Sequence, residues 1–124
     1  MKAIHTNNAP AAIGPYSQAI EVNGFIFASG QIPINPATGQ IVEGGITEQA
    51  TQSLTNVKNL LEAAGTDMSH VVKTSVFLAD MADFAAMNEV YAKFFTEPYP
   101  ARSAVAVRTL PKNVLCEVEV IASK

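Results

Sequence analysis

Glycine and proline are distributed unevenly, and this restricts the fold more than any other feature. Six of the seven glycines and four of the seven prolines precede Ile46, whereas residues 46–97 contain no proline and one glycine, Gly65. Both residues punctuate chains at turns and are poorly tolerated inside helices. The first third must therefore be short strands and turns, and long helices fit only in the middle. Asn23-Gly24 lies between Ala19-Ile20-Glu21-Val22 and Phe25-Ile26-Phe27-Ala28. It is a strong hairpin signal, because a type I′ turn needs two successive positive φ angles. A second turn is expected at Asn35-Pro36-Ala37-Thr38-Gly39.

Two helices are expected in the proline-free stretch. In the first, Thr47 can cap the N-terminus and Glu48 suits the positive end of the dipole. Ala50, Leu54, Val57, Leu61 and Ala64 then recur at helical spacing until Gly65 stops it. Residues 71–78 are β-branched and aromatic, hence a strand. Asp80 caps the second helix, with Phe84, Met87, Tyr91 and Phe94 as its buried stripe, and Pro98 and Pro100 forbid continuation. Strands at 101–107 and 114–122, joined by the turn Leu110-Pro111-Lys112-Asn113, close the chain. In the last strand Leu115, Glu117, Glu119 and Ile121 share one face and Cys116, Val118 and Val120 the other. The order β-β-α-β-α-β-β reads as α+β, a sheet with two helices on one face. A length of 124 residues fits one domain, 1–124.

Charge is scarce as well as unevenly placed. Charged residues make up 15% of the chain, against about 25% in soluble domains. That share would put about six charges in residues 3–42; there is one, Glu21. A membrane span does not explain the gap. The charge-free run 22–42 contains two prolines, three glycines, two asparagines and two glutamines, incompatible with about 20 apolar residues in a helix. Lys2 is followed by no apolar h-region, so no signal peptide is expected and the reading is cytoplasmic. The lone Cys116 cannot form an internal disulfide and suits a reducing compartment. A net charge of −3 with two arginines in the chain disfavours a nucleic-acid partner.

No metal is expected, because His5, His70, Cys116 and the carboxylates show no paired ligand spacing. Gly44-Gly45 before the first helix reads as a loop rather than an anion cradle, Cys116 as a small buried hydrophobe rather than a nucleophile, and His70 as a partly exposed edge residue. Arg102 stands apart: Tyr99-Pro100 forces an extended backbone, and its same-face neighbours Ala104 and Ala106 leave room around the guanidinium. It suits either bidentate grip of a small carboxylate or a surface ion pair. Glu117 is either a partly desolvated general base or, with Glu119, part of a solvated face. Gly14-Pro15-Tyr16 and Ala28-Ser29-Gly30-Gln31 each set a polar side chain beside a glycine at a strand end, which suits donor presentation or plain turn chemistry.

Three blocks then carry a resemblance that covers essentially the whole chain. They are Ile13-Gly14-Pro15-Tyr16-Ser17-Gln18-Ala19, Ala28-Ser29-Gly30-Gln31-Ile32-Pro33, and Pro100-Ala101-Arg102-Ser103 running through Leu110-Pro111-Lys112 to Cys116-Glu117-Val118. In this order and spacing they resemble the reactive intermediate deaminase A (RidA) family of imine and enamine deaminases. The resemblance implies a chorismate-mutase-like fold, a homotrimer and a ligand cleft between neighbouring subunits. It implies that Arg102 holds the substrate carboxylate, that Glu117 positions water, and that Tyr16, Ser29 and the backbone of Gly30 line the cleft. Ala104 stands where the family often has cysteine, so a thiol is not required there, although the resemblance leaves room for a backbone contact to the substrate. Cys116 replaces the aliphatic residue usual before the glutamate. The implied substrates are short 2-imino acids such as 2-iminobutanoate and 2-iminopropanoate, released by pyridoxal-phosphate-dependent threonine and serine dehydratases and hydrolysed without a cofactor. A trimeric module that senses 2-oxo acids without turnover is the alternative; an RNA-cleaving translation inhibitor, a reading attached to some relatives, fits the acidic charge poorly. The charge-poor stretch 3–42 is then expected at a seam between subunits.

Overall fold

The computed structural model describes residues 1–124. The chain runs through β1 (Lys2–Ile4), the hairpin β2 (Ala19–Val22) and β3 (Phe25–Ala28), and a small ribbon of β4 (Ile34–Asn35) and β5 (Gln40–Ile41). Helix α1 (Ile46–Ala63), β6 (Val71–Leu78), α2 (Phe84–Tyr91), β7 (Ala101–Ala106) and β8 (Cys116–Ser123) follow. Six strands form one sheet in the order β1-β2-β3-β8-β6-β7, in which only the β6–β7 pair is parallel. The crossover from β6 to β7 contains α2, as a parallel neighbour requires. Helix α1 packs across β8 and β3, with α2 beside it. The expected α+β architecture is present, with β1 and the β4–β5 ribbon added; elements of two or three residues carry no readable period.

Local chemistry sets the boundaries. Asn23 and Gly24 both take positive φ (51° and 79°), as the hairpin turn demands. Helix α1 begins one residue before Thr47, with Gly45 as its N-cap. Glu48 Oε1 reaches back to accept from Gly45 N at 2.8 Å, so the carboxylate placed by the dipole also fixes the start. Thr47, expected as the cap, lies instead within the first turn. Gly65, at φ 87°, stops the helix as expected. Asp80 Oδ1 accepts from Ala82 N and caps a 3₁₀ turn, Met81–Asp83, that leads into α2. Helical period ends soon after Tyr91, so Phe95 rather than Phe94 is buried, its ring 4.4 Å from that of Tyr91.

The core lies between the helices and one face of the sheet. Leu54, Val57, Leu60 and Leu61 of α1 meet Ile26, Val76, Leu78, Cys116, Val118 and Val120, all essentially buried. Each such large side chain contributes about 1.5–3 kcal/mol by leaving water. Cys116 is a core residue as expected, its Sγ 3.7 Å from Ser53 Oγ and its thiol pushed up to about 11 mainly by burial. The opposite face bears no helix. Its residues include Glu117 and Glu119, but also Phe25, Phe27, Phe77, Val105 and Ile121, of which Phe25, Phe27 and Val105 are exposed. Apolar side chains thus interrupt the polar surface of a solvent-facing sheet, which Lys73, Ser75, Ser103, Glu117 and Glu119 otherwise provide. At one edge, β7 pairs only with β6 and leaves its outer backbone groups unpaired, an exposure that proteins usually cover.

Candidate active site

The expected site residues fall into two groups. The first forms where the chain leaves β3. Gln31 and Val118 exchange backbone hydrogen bonds (2.8 and 3.1 Å), which ties the 29–31 segment to β8 beside Glu117. Ser29 Oγ donates to Ser17 O at 2.6 Å, and Ser29 N donates to Gln18 O at 2.9 Å. These bonds hold the Tyr16 loop against the same strand end. Tyr16 Oη accepts from Ile13 N at 3.3 Å, so its own proton remains available to a ligand. The result is a cleft of about 380 Å³ lined by Tyr16, Ser29, Gly30, Ile32, Pro111 and Glu117.

Glu117 sets the character of this cleft. Its carboxylate lies so close to Gly30 that a Cβ there would fall 1.9 Å from Oε2, so any larger residue would displace the carboxylate from this position. The Gly30 N–H makes no hydrogen bond within the chain and remains a free donor beside the carboxylate. Burial, and to a smaller extent the neighbouring Glu119, holds the Glu117 carboxyl above the ordinary glutamate range. This favours the general-base reading over a solvated face. Ser29 is more constrained than expected, because its proton is committed to Ser17 and it offers the cleft only acceptor capacity.

The second group surrounds Arg102 on β7. Its guanidinium carbon lies 4.8 Å from the centre of the Tyr91 ring and 5.5 Å from that of Phe84, and Nη1 donates to Asn88 Oδ1 at 2.7 Å. Tyr91 is itself anchored by Thr74, its Oη 2.8 Å from Thr74 Oγ1. Desolvation raises the Tyr91 pKa, so the phenol stays neutral and its face stays available to the cation. A cavity of about 480 Å³ opens here between Arg102, Asn88, Tyr91 and Tyr99. Arg102 forms no salt bridge with any carboxylate of the chain. Ala104 faces the helices, packs against the core and lines neither cavity.

One chain does not bring the two groups together. Arg102 is level with Thr74, on the helix side of the sheet, whereas Glu117 is level with Phe77, on the open side. Two strand spacings and three residues of offset put their Cα atoms about 14 Å apart, and the side chains leave opposite faces. Of the residues not expected from the sequence, Ile32 and Pro111 line the Glu117 cleft and Asn88 holds Arg102. Phe84, Asn88 and Tyr91 do share the i, i+4 and i+7 spacing of one helix face, a signal the apolar stripe concealed. No three His, Cys, Asp or Glu side chains converge as metal ligands.

Sheet order and helix placement define an α+β protein with two helices on one face of a mixed sheet. The family model described as Endoribonuclease L-PSP matches residues 6–124. A RutC family protein of Pyrococcus horikoshii is 57% identical over 123 residues, 99% of this chain and 98% of its own. The 2-iminobutanoate/2-iminopropanoate deaminase of Capra hircus is 51% identical over 121 residues, 98% and 88% of the two chains. Among solved structures, Escherichia coli TdcF with bound serine superposes with a TM-score of 0.94 at 45% identity, covering 100% of this chain and 99% of its own. The chain belongs to the RidA family.

Proposed function

We propose that this protein hydrolyses short 2-imino acids and their enamine tautomers, such as 2-iminobutanoate and 2-iminopropanoate, to 2-oxo acids and ammonia. Residues 1–124 act as one domain, in a cleft completed between copies of a homotrimer. One observation carries the reading: the chain holds a partly desolvated carboxylate beside a free N–H, and an arginine with no carboxylate partner of its own, on opposite faces of one sheet. Each half suits one end of a small 2-imino acid, and only a neighbouring copy can supply the other half. Closed assembly would cover the apolar open face and the bare β7 edge, and it would bury Tyr16 and Phe27 of the charge-poor stretch. The relatives named 2-iminobutanoate/2-iminopropanoate deaminase support the substrate class.

The chemistry needs no cofactor. Arg102 of one copy grips the carboxylate and so places C2 of the imine over Glu117 of the next. Glu117 accepts a proton from water as its oxygen bonds to C2, and the C=N electron pair moves to nitrogen. Glu117 returns that proton to the nitrogen, giving a carbinolamine; it then takes the carbinolamine hydroxyl proton and passes it to the nitrogen, so that C=O forms as the C–N bond breaks, releasing ammonia and leaving the 2-oxo acid. Tyr16 Oη and Gly30 N–H are the donors that orient the water and the developing tetrahedral centre. Imines hydrolyse unaided, so positioning supplies much of the acceleration. The source of substrate is a pyridoxal-phosphate-dependent threonine or serine dehydratase acting in the cytoplasm.

A coupled assay tests this reading. With threonine dehydratase in excess, so that imine hydrolysis limits the rate, added protein should accelerate ammonia and 2-oxobutanoate formation in proportion to its concentration. An unchanged rate contradicts the deaminase reading.

A further inference from the structure

The side of Arg102 that is already occupied determines which side a ligand can use. Nη1 is held by Asn88 Oδ1 at 2.7 Å, while Nε and Nη2 make no hydrogen bond within the chain. The guanidinium carbon lies over the Tyr91 and Phe84 rings, and Thr74, directly beside Arg102 in the sheet, fixes Tyr91. Asn88, Tyr91 and Phe84 all project from one face of α2. We infer that Asn88 is a positioning residue that reserves the Nε/Nη2 fork of Arg102 for the carboxylate of the substrate and so dictates its side-on approach. This rests on the assignment of Arg102 as carboxylate anchor in the proposed function.

Five N–H donors on a guanidinium allow more than one bidentate pairing. A free arginine samples them and places the rest of the ligand differently in each. The bond to Asn88 engages one of the two N–H groups of Nη1 and so competes with the end-on fork, which uses Nη1 and Nη2, whereas the side-on fork on Nε and Nη2 has no partner within the chain and is left preorganised. An amide suits this task because it is neutral: it accepts the Nη1 proton without cancelling the charge that the ligand must meet.

Calorimetric titration of the intact assembly with 2-oxobutanoate, a stable probe carrying the same carboxylate, tests the role. Asn88→Ala should weaken binding about tenfold, the value of one hydrogen bond to a charged group. Asn88→Asp should weaken it more, about a hundredfold, because the new carboxylate neutralises Arg102 and repels the ligand. A purely structural role gives the reverse order, since aspartate keeps the shape of asparagine and still accepts from Nη1. In the coupled assay KM should rise by a larger factor than kcat falls. Thermal melts should report both variants as folded. Binding unaffected by either substitution, Asp milder than Ala, or no binding of 2-oxobutanoate to the unsubstituted protein overturns the role. Unsubstituted protein that binds 2-oxobutanoate in this Asn88-dependent way yet releases no ammonia leaves the positioning role standing and removes the deaminase reading.

Discussion

Arg102→Ala should lower imine hydrolysis by at least about a hundredfold, because two charge-assisted hydrogen bonds to the carboxylate are lost and each tenfold corresponds to about 1.4 kcal/mol. The fold should survive. Arg102 is exposed on an edge strand, and the Tyr91–Thr74 hydrogen bond behind it remains paired after truncation. Arg102→Lys should recover only part of the loss, since an ammonium keeps the charge but not the planar fork. Initial rates of ammonia release with dehydratase in excess, beside thermal melts of the same samples, check both statements. Full activity in a folded Arg102→Ala variant would remove the arginine from the mechanism.

Glu117→Gln should cost about 10²–10⁴-fold in rate, the usual worth of a positioned general base. Binding of 2-oxobutanoate should persist, because the carboxylate anchor lies elsewhere. A sensor without turnover would show the same binding and no activity to lose. The pH profile gives an independent reading. Burial and Glu119 hold the Glu117 carboxyl above the ordinary glutamate range, and the base must be deprotonated to work. The acidic limb of kcat/KM should therefore lie above that range, and covering the open face in the assembly should push it higher. Stability moves with the opposite sign. Between the ordinary and the raised value the folded chain binds more proton than the unfolded chain, so stability falls as pH rises through that window. The Gln variant should lack this slope. Denaturant midpoints measured across that window compare the two proteins directly.

Much of this fold was legible because its signals are local. Asn23-Gly24 demanded a hairpin turn; Gly65 marked the end of α1; alternation in residues 115–121 separated Cys116, Val118 and Val120, which are buried, from Glu117 and Glu119. What escaped depended on contacts. Thr47 is a good capping residue by type, but the backward reach of Glu48 to Gly45 set the start of α1. Phe94 fitted the helical stripe until the chain left α2, after which Phe95 turned inward. The candidate site was legible as a residue set and not as an arrangement. Nothing in the order of Arg102 and Glu117 states that the register of β6 against β7 and β8 sends them to opposite faces. Asn88 was hidden for a related reason: a polar residue between Met87 and Tyr91 reads as the outer side of an amphipathic helix until β7 brings Arg102 against it.

The exposed apolar residues of the open face and the divided site both motivate the proposed assembly. Phe25, Phe27 and Val105 lie exposed on the sheet surface that also carries Glu117, so a contact covering them would bring a neighbour to the Glu117 cleft. In the proposed homotrimer a head-to-tail contact closing after three copies would make three equivalent clefts, each taking Arg102 from one copy and Glu117 from the next. Complementation between variants tests this most directly. Arg102→Ala and Glu117→Gln chains, each inactive alone, are mixed in equal amounts, unfolded and refolded together, and ammonia release is measured in the coupled assay. Random assembly should restore about one quarter of the unsubstituted activity, since that share of clefts receives both intact residues. Activity no higher than that of the separate variants, in a mixture shown to exchange subunits, would contradict a site shared between copies.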